Sequence, residues 1–193
     1  MKIQENISLK SVNTFGITNY ARFFTTIDSE KQLKEALNWA KNQGLEILIL
    51  GGGSNILLTK DFDGLVIKIE IQGIDLLDED EDHVFVKVGA GVVWNDLVMY
   101  AIAQSWAGLE NLTLIPGTVG ASPMQNIGAY GVEIKEVFEW LEAVNRESLE
   151  LEVFNSEECK FGYRESVFKH ELKNQYVICS VIFKLKKTPE FHI

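Results

Sequence analysis

The sequence predicts an α+β fold built from two closely joined parts. Seven short segments have the composition of β-strands, two longer segments have helical periodicity, and strands dominate the second half of the chain. Of the 193 residues, 46% are hydrophobic and 24% are charged, so the chain can form a packed core and is not a disordered segment. Because strands and helices do not alternate regularly, an α+β fold is favoured over a doubly wound parallel sheet.

The first part of the chain has the order strand, helix, strand and glycine turn. Residues 20–26 are aromatic and threonine-rich, as in a strand, and Ser29 with Gln32 forms a possible capping box. Gly44 is placed to end the helix, and residues 46–50 form a short apolar strand before the glycines. Four apolar residues share one face of the helix: Leu33, Ala36, Leu37 and Ala40.

Two further strands and a core helix are predicted in the middle of the chain. Residues 65–69 and 84–88 have strand composition, and the acidic stretch at residues 75–82 is predicted to be a solvated loop without a function. Residues 93–104 then have helical periodicity. Five residues are expected on the buried face of this helix: Trp94, Leu97, Val98, Ala101 and Ile102.

The remaining strands form a hairpin and one long strand. Residues 137–144 and 149–154 flank a connection at residues 145–148, whose length suits a hairpin. Residues 176–185 are the last strongly apolar strand. These segments make strands the dominant element of the second half.

Charge, cysteines and histidines exclude several classes of partner and site. The net charge of −10 would repel a nucleic acid backbone, and no stretch reaches the roughly 20 apolar residues of a membrane helix. Cys159 and Cys179 lack the spacing of zinc ligands, which predicts reduced thiols in a cytoplasmic protein. His83, His170 and His192 show no ligand spacing either, so they are expected at the surface and no metal site is predicted.

The sharpest chemical signal is the glycine turn GGGSN at residues 51–55. Glycines adopt positive φ angles and let the backbone approach a ligand, so consecutive N–H groups can point at a diphosphate. Ser54 and Asn55 add side-chain donors. The turn lacks the last glycine of GxGxxG and the GK[ST] of a P-loop, so neither of those folds is indicated. A tight turn without a ligand is the alternative.

A second glycine-rich segment spans residues 115–131. It contains four glycines and two prolines in 17 residues, and long polar loops of this kind are usually functional. The alternative is an Ω-loop that packs on itself through Ile115, Val119 and Ile127. Since large apolar groups are few for its length, we expect a bound ligand rather than its own packing to order this loop.

A third signal is the sequence FGYRES at residues 161–166. Arg164 offers a planar fork of donors suited to a carboxylate or a developing enolate, and Tyr163 beside it can stack or hydrogen-bond. Most arginines are surface residues, so this segment gains meaning only together with the other motifs.

Six motifs in this order strongly resemble the UDP-N-acetylenolpyruvoylglucosamine reductase family, MurB. They are NTFGI, ILGGGSN, GLEN, IPG, QNIGAYG and FGYRES, at residues 13–17, 49–55, 108–111, 115–117, 125–131 and 161–166. The resemblance covers about residues 10–188. It implies the FAD-binding fold of the vanillyl-alcohol oxidase type, in which two subdomains, residues 1–68 and 69–193, hold FAD between them.

The resemblance also implies which residues bind FAD and substrate. The first turn would surround the FAD pyrophosphate through Gly51, Gly52, Gly53, Ser54 and Asn55. The second loop would contact the flavin through Pro116, Gly117, Gly120, Ala121, Ser122, Gln125, Asn126, Gly128, Tyr130 and Gly131. Ala121 stands where many relatives have serine, so a hydrogen bond from that position is lost here. Arg164 would be the catalytic arginine that stabilises negative charge on the substrate, with Tyr163 beside it in the substrate site.

The activity implied by the resemblance is the NADPH-dependent reduction of UDP-N-acetylglucosamine enolpyruvate to UDP-N-acetylmuramate, a step of peptidoglycan synthesis. Family members continue into a third domain that binds the UDP-sugar and carries the serine proton donor, and no residue here matches that serine. We therefore expect a monomeric FAD-binding portion that is inactive on its own. Two alternatives stay open, the FAD-binding half of another oxidase or dehydrogenase of this fold and a non-enzymatic α+β domain.

Overall fold

The structure, a computed structural model, describes residues 1–188 and begins with a mixed four-stranded sheet. Its strands are β1 (Gln4–Ser8), β2 (Tyr20–Ile27), β3 (Glu46–Leu50) and β4 (Phe62–Ile69), in the order β1-β2-β4-β3. β1 is antiparallel to β2, whereas β4 is parallel to both of its neighbours. The three strands predicted in this region are confirmed, and β1 was not predicted.

Helix α1 (Glu30–Gln43) connects β2 to β3. Its four predicted core residues are all buried, and Gly44 ends the helix with a φ of 64°, as the C-cap prediction requires. The predicted capping box is wrong, because Ser29 makes no side-chain cap bond. Gln32 Oε1 reaches one residue further back and accepts from Asp28 N at 3.3 Å.

The second sheet is entirely antiparallel. Its strands are β5 (Ile74–Glu79), β6 (His83–Gly89), β9 (Phe138–Asn145), β10 (Leu151–Asn155) and β11 (Tyr176–Lys186), in the order β10-β9-β11-β6-β5. The predicted hairpin and long strand are confirmed. The predicted loop at residues 75–82 is wrong up to Glu79, because the backbone of β5 pairs with β6 as an edge strand while its acidic side chains stay exposed.

Helix α2 (Trp94–Ala103) packs on the second sheet through four of its five predicted residues. The prediction for Ile102 is wrong. It lies at the edge of the apolar face and is 46% exposed, since the contact with the sheet is narrower than that face. Three short elements complete the strands and α-helices of residues 1–188: β7 (Gly128–Ala129), β8 (Val132–Glu133) and α3 (Ser156–Cys159). Within residues 1–188, no helix is long and apolar enough to cross a membrane.

The two sheets share helix α1. The buried face of α1 belongs to one core cluster with Leu65 and Ile67 of β4, and also with Val144 of β9 and Val177 of β11. Ala90, which lies directly beneath the second glycine-rich loop, is part of the same cluster. The junction of the two sheets is therefore also the place where the glycine segments meet.

The two thiols and two of the three histidines lie within the described residues. Cys159 and Cys179 are free and buried, in agreement with the predicted reduced state, and burial raises the pKa of each thiol to about 12. Both thiols stay protonated at neutral pH and act as apolar core groups. His83, predicted at the surface, is half-buried and contacts Asp80, whereas His192 lies outside the described residues.

Candidate cofactor site

The glycine turn after β3 is shaped by close contacts with two other backbone segments. A Cβ on Gly53 would lie 2.1 Å from the carbonyl oxygen of Val12, and Gly53 also has a φ of 65°. A Cβ on Gly52 would lie 3.3 Å from Gly117 Cα. The missing side chains thus let the turn pack against the second glycine-rich loop, whereas a positive φ is required only at Gly53.

Backbone donors in this turn have no partner within the described chain. The N–H groups of residues 52–55 donate to no acceptor in residues 1–188, and the side chains of Ser54 and Asn55 are also without a hydrogen bond there. No helix follows the turn, because residues 56–59 have no regular structure. Four consecutive free donors beside two polar side chains are an arrangement suited to a phosphate.

The second loop is anchored in the core. Val119 and Ile127 are buried among the residues packed on the second sheet, and Gly120 N donates to Ala90 O at 2.9 Å. Two apolar side chains of the loop therefore reach the core, and the expectation that a bound ligand orders the rest of the loop stays a prediction. Tyr130, at the tip of the loop, is 90% exposed.

Two adjoining clefts lie along the second loop. The first, the loop cleft, has a volume of about 300 Å³ and is lined by seven predicted cofactor residues: Ser54, Asn55, Pro116, Gly117, Ala121, Ser122 and Gln125. The second, the strand cleft, has a volume of about 250 Å³ and is lined by β3, β11 and three predicted residues: Gly51, Gly120 and Ala121. Three residues line both clefts: Thr118, Ala121 and Met124.

The other predicted residues do not line either cleft: Gly52, Gly53, Asn126, Gly128, Tyr130, Gly131, Tyr163 and Arg164. Among them, Asn126 is 0% exposed and both ends of its amide are used. Its Nδ2 donates to Gly162 O at 3.0 Å, and its Oδ1 accepts from Lys135 N at 3.2 Å. Asn126 therefore joins the second loop to the FGYRES segment.

Residues 162–165, which we call the arginine turn, carry Arg164 with a φ of 55°. Backbone hydrogen bonds of 3.1 and 3.2 Å between the first and last residues close the turn. Arg164 Nη2 donates to Gly128 O at 2.7 Å, and Ser166 Oγ donates to Met124 O at the same distance. Together with Asn126, these bonds fasten the arginine turn to the second glycine-rich loop.

Charged side chains around Arg164 are paired with one another. Lys169 Nζ donates to the Arg164 carbonyl at 2.8 Å and to Glu165 Oε1 at 3.2 Å. The hydrogen bond from His170, followed by that from Lys169, holds the pKa of Glu165 below its ordinary value. His170 is exposed, as predicted, and Tyr163 is 85% exposed. The turn therefore carries Tyr163 and Arg164 at the surface, next to the paired side chains of Glu165, Lys169 and His170.

Several lining residues were not selected from the sequence. Arg146, Asn174 and Tyr176 line the strand cleft, and Lys169 lines the loop cleft. No local pattern marks the first three, because the pairing of β9 with β11 brings them together from distant parts of the chain. Lys169 had a usable signal, since it follows the FGYRES motif by three residues.

A family model described as FAD binding domain matches residues 21–152. A relative from Amoebophilus asiaticus named UDP-N-acetylenolpyruvoylglucosamine reductase is 53% identical over 99% of this chain and 56% of its own length. A relative of the same name from Flavobacterium johnsoniae is 51% identical over 97% of this chain and 55% of its own length. The chain spans about half the length of the curated relatives it matches.

Solved structures share the fold. MurB from Thermus caldophilus superimposes with a TM-score of 0.79 and 29% identity, over 98% of this chain and 64% of that one. 6-Hydroxy-D-nicotine oxidase from Arthrobacter nicotinovorans gives a TM-score of 0.65 at 18% identity, over 86% of this chain and 36% of that one. The α+β fold of the vanillyl-alcohol oxidase type and the resemblance to the reductase family are both confirmed.

Proposed function

Because this chain belongs to the FAD binding domain family, we propose that it is the FAD-binding part of a UDP-N-acetylenolpyruvoylglucosamine reductase. In this proposal residues 51–55 hold the FAD pyrophosphate and residues 116–131 contact the flavin. The observation that carries it is the row of four unpaired N–H groups at residues 52–55, beside the loop cleft. Such donors cost free energy unless water or a ligand satisfies them.

The residues around the clefts fit a dinucleotide that carries a diphosphate. The side chains of Ser54, Asn55 and Gln125 line the loop cleft and make no hydrogen bond within residues 1–188. Lys169 is the one ionisable side chain among the residues that line this cleft, and its charge is positive. A Cβ on Gly52 would occupy space at the meeting point of the two glycine segments. Free donors and open space suit a diphosphate, and Lys169, which is paired with Glu165, adds positive charge beside them.

The proposal includes two subdomains, residues 1–68 and 69–193. Its support is that the first sheet ends at Ile69 and the second begins at Ile74. FAD would lie where the two sheets share the α1 core. A cytoplasmic monomer is part of the proposal, and the two free thiols support a reducing compartment.

Arg164 and Tyr163 are the residues that we propose to face the substrate. When bound, FAD supplies hydride chemistry, with NADPH as the donor and the enolpyruvyl sugar as the acceptor. Arg164 stabilises the negative charge that develops on the substrate. One guanidinium nitrogen of Arg164 is held by Gly128 O, and its other nitrogens have no partner within residues 1–188. The side chain is thus oriented before substrate arrives.

The cofactor site is tested by titrating FAD into variants of the turn. Ser54→Ala with Asn55→Ala should weaken FAD binding by roughly tenfold or more, since two donors to a charged group are lost. Gly52→Val should weaken it further, because the new side chain would separate the two loops. Flavin fluorescence gives the affinity, and Ser11→Ala with Asn42→Ala, two exposed positions outside both clefts, is the matched control. Unchanged FAD affinity in the folded Ser54/Asn55 variant would contradict the proposal.

We further propose that this chain holds FAD but does not reduce the enolpyruvyl sugar by itself. A positioned proton donor is typically worth roughly 10² to 10⁴ in rate, and none is assigned within these residues. The measurement compares NADPH oxidation by the FAD-loaded chain with that of a relative of full length. Arg164→Ala in the longer enzyme should lower kcat while FAD stays bound. Comparable turnover by this chain would show that the proton donor lies within it.

A further inference from the structure

The strand cleft has a largely apolar wall with one cation, and its polar side chains come from Thr118, Asn174 and Tyr176. Five residues of β3 and β11 supply most of that wall: Ile47, Leu48, Ile49, Val177 and Ile178. Arg146 and Tyr176 are the ionisable residues that line it, and only Arg146 is charged at neutral pH. An apolar slot with a single cation is a common way to bind an aromatic heterocycle.

The Arg146 guanidinium is fixed in place and lacks a carboxylate partner. Its Nη1 donates to Asn174 O at 2.9 Å, and its backbone N donates to Gln175 O at 2.8 Å. Within residues 1–188 it forms no ion pair, and the neighbouring Glu147 pairs with Lys41 instead. Burial lowers the pKa of Arg146, and the nearby Glu147 carboxylate offsets only part of that effect without forming an ion pair with it. Asn174 O thus holds Nη1 of the guanidinium, while, within the described residues, the flat face of the group and its other N–H donors are free to contact a ligand.

Arg146 lies at one end of the cleft and the glycine-rich loop at the other. The backbone N–H of Arg146 donates to Gln175 O, just before β11. The backbone N–H of Ala90, which lies beneath Gly120, donates to Cys179 O. Four residues of a strand span roughly 13 Å. Gly51 and Gly120 line the glycine end of the same cleft. A ligand with its phosphates at the glycines can therefore extend a ribose and a base towards Arg146.

We propose that Arg146 binds the adenosine end of the dinucleotide and makes the site select FAD over flavin mononucleotide. The inference rests on the proposed function, because it takes the glycine segments as the diphosphate site. The planar guanidinium stacks on the base or donates to its ring nitrogens, and the isoleucine and valine side chains cover the other faces. Flavin mononucleotide lacks adenosine and gains nothing from Arg146.

The test is a pair of titrations, with FAD and with flavin mononucleotide, on the whole chain and its variants. Arg146→Met should weaken FAD binding by about tenfold and leave flavin mononucleotide binding unchanged. Arg146→Lys, which keeps a charge and a donor for Asn174 O but loses the planar fork, should still bind FAD more weakly than the wild type. Arg22→Met is the matched control, because Arg22 pairs with Asp63 outside both clefts.

Each outcome separates this inference from the proposed function. If the wild type does not bind FAD, the proposed function and the inference both fail. If the wild type binds FAD and Arg146→Met binds it equally well, only the inference fails. An equal loss for FAD and flavin mononucleotide would also overturn it, since Arg146 would then support the fold of the site. A normal affinity for flavin mononucleotide shows that a variant is folded.

Discussion

At Asn126 the backbone conformation and the side-chain hydrogen bonds place separate demands on the residue. The residue has a φ of 41°, in a left-handed region that asparagine enters more easily than most residues other than glycine. Its buried amide meanwhile connects Lys135 N, which follows β8, with Gly162 O of the arginine turn. The resemblance implies that Asn126 contacts the cofactor, which stays a prediction; in the structure its amide holds the backbone of the turn that carries Arg164.

Two substitutions separate the contribution of the side-chain hydrogen bonds from that of the backbone conformation. Asn126→Gly should remove both hydrogen bonds without backbone strain and lower the free energy of unfolding by roughly 1–3 kcal/mol. Asn126→Ala should cost about 1 kcal/mol more, because alanine disfavours a positive φ. Chemical denaturation measures both, and hydrogen exchange should quicken at residues 162–165. Asn95→Ala, which removes a single exposed bond to Leu114 N, is the control. Wild-type stability of Asn126→Gly would show that the buried amide contributes nothing.

Among the secondary-structure elements, those with a strong local pattern were predicted and those defined by pairing were not. The 3.6-residue periodicity of α1 identified its buried face, and one glycine identified its end. The acidic composition of β5 carries no strand signal, because its backbone pairs with β6 while its side chains face solvent. β1 is an edge strand of the same kind, held by β2.

The candidate site likewise contains residues that a local sequence pattern predicts and residues that only strand pairing brings to it. The composition of residues 51–55 was enough to predict a phosphate site, and that of residues 115–131 was enough to predict a functional loop, because each is a continuous segment. The individual residues of the loop followed from the resemblance. Arg146 and Asn174 reach the strand cleft only because β9 pairs with β11. The role of these two residues depends on the residues that lie opposite them in the fold. The local sequence around them predicts only a hairpin and a loop.

On the scale of the whole molecule, α1 couples the two sheets, because its buried face packs against residues of both. Leu37 is 1% exposed and belongs to a cluster that includes β4 of the first sheet and β11 of the second. We expect a core shared in this way to make the two sheets one cooperative unit, even though each is formed by its own part of the chain. The clefts along their junction then keep a fixed shape, which a preorganised dinucleotide site requires.

Leu37→Ala tests this coupling. The cavity should lower the free energy of unfolding by roughly 2–5 kcal/mol, because a buried leucine loses most of its contacts. If the sheets are one unit, hydrogen-exchange protection should fall by the same free energy in β4 and in β11, although the substitution lies in neither strand. Leu77→Ala in β5, where the side chain is 49% exposed, should change little and serves as the control. A loss of protection confined to β4 would instead show that the sheets unfold separately, and the boundary near residue 68 would then divide two folding units.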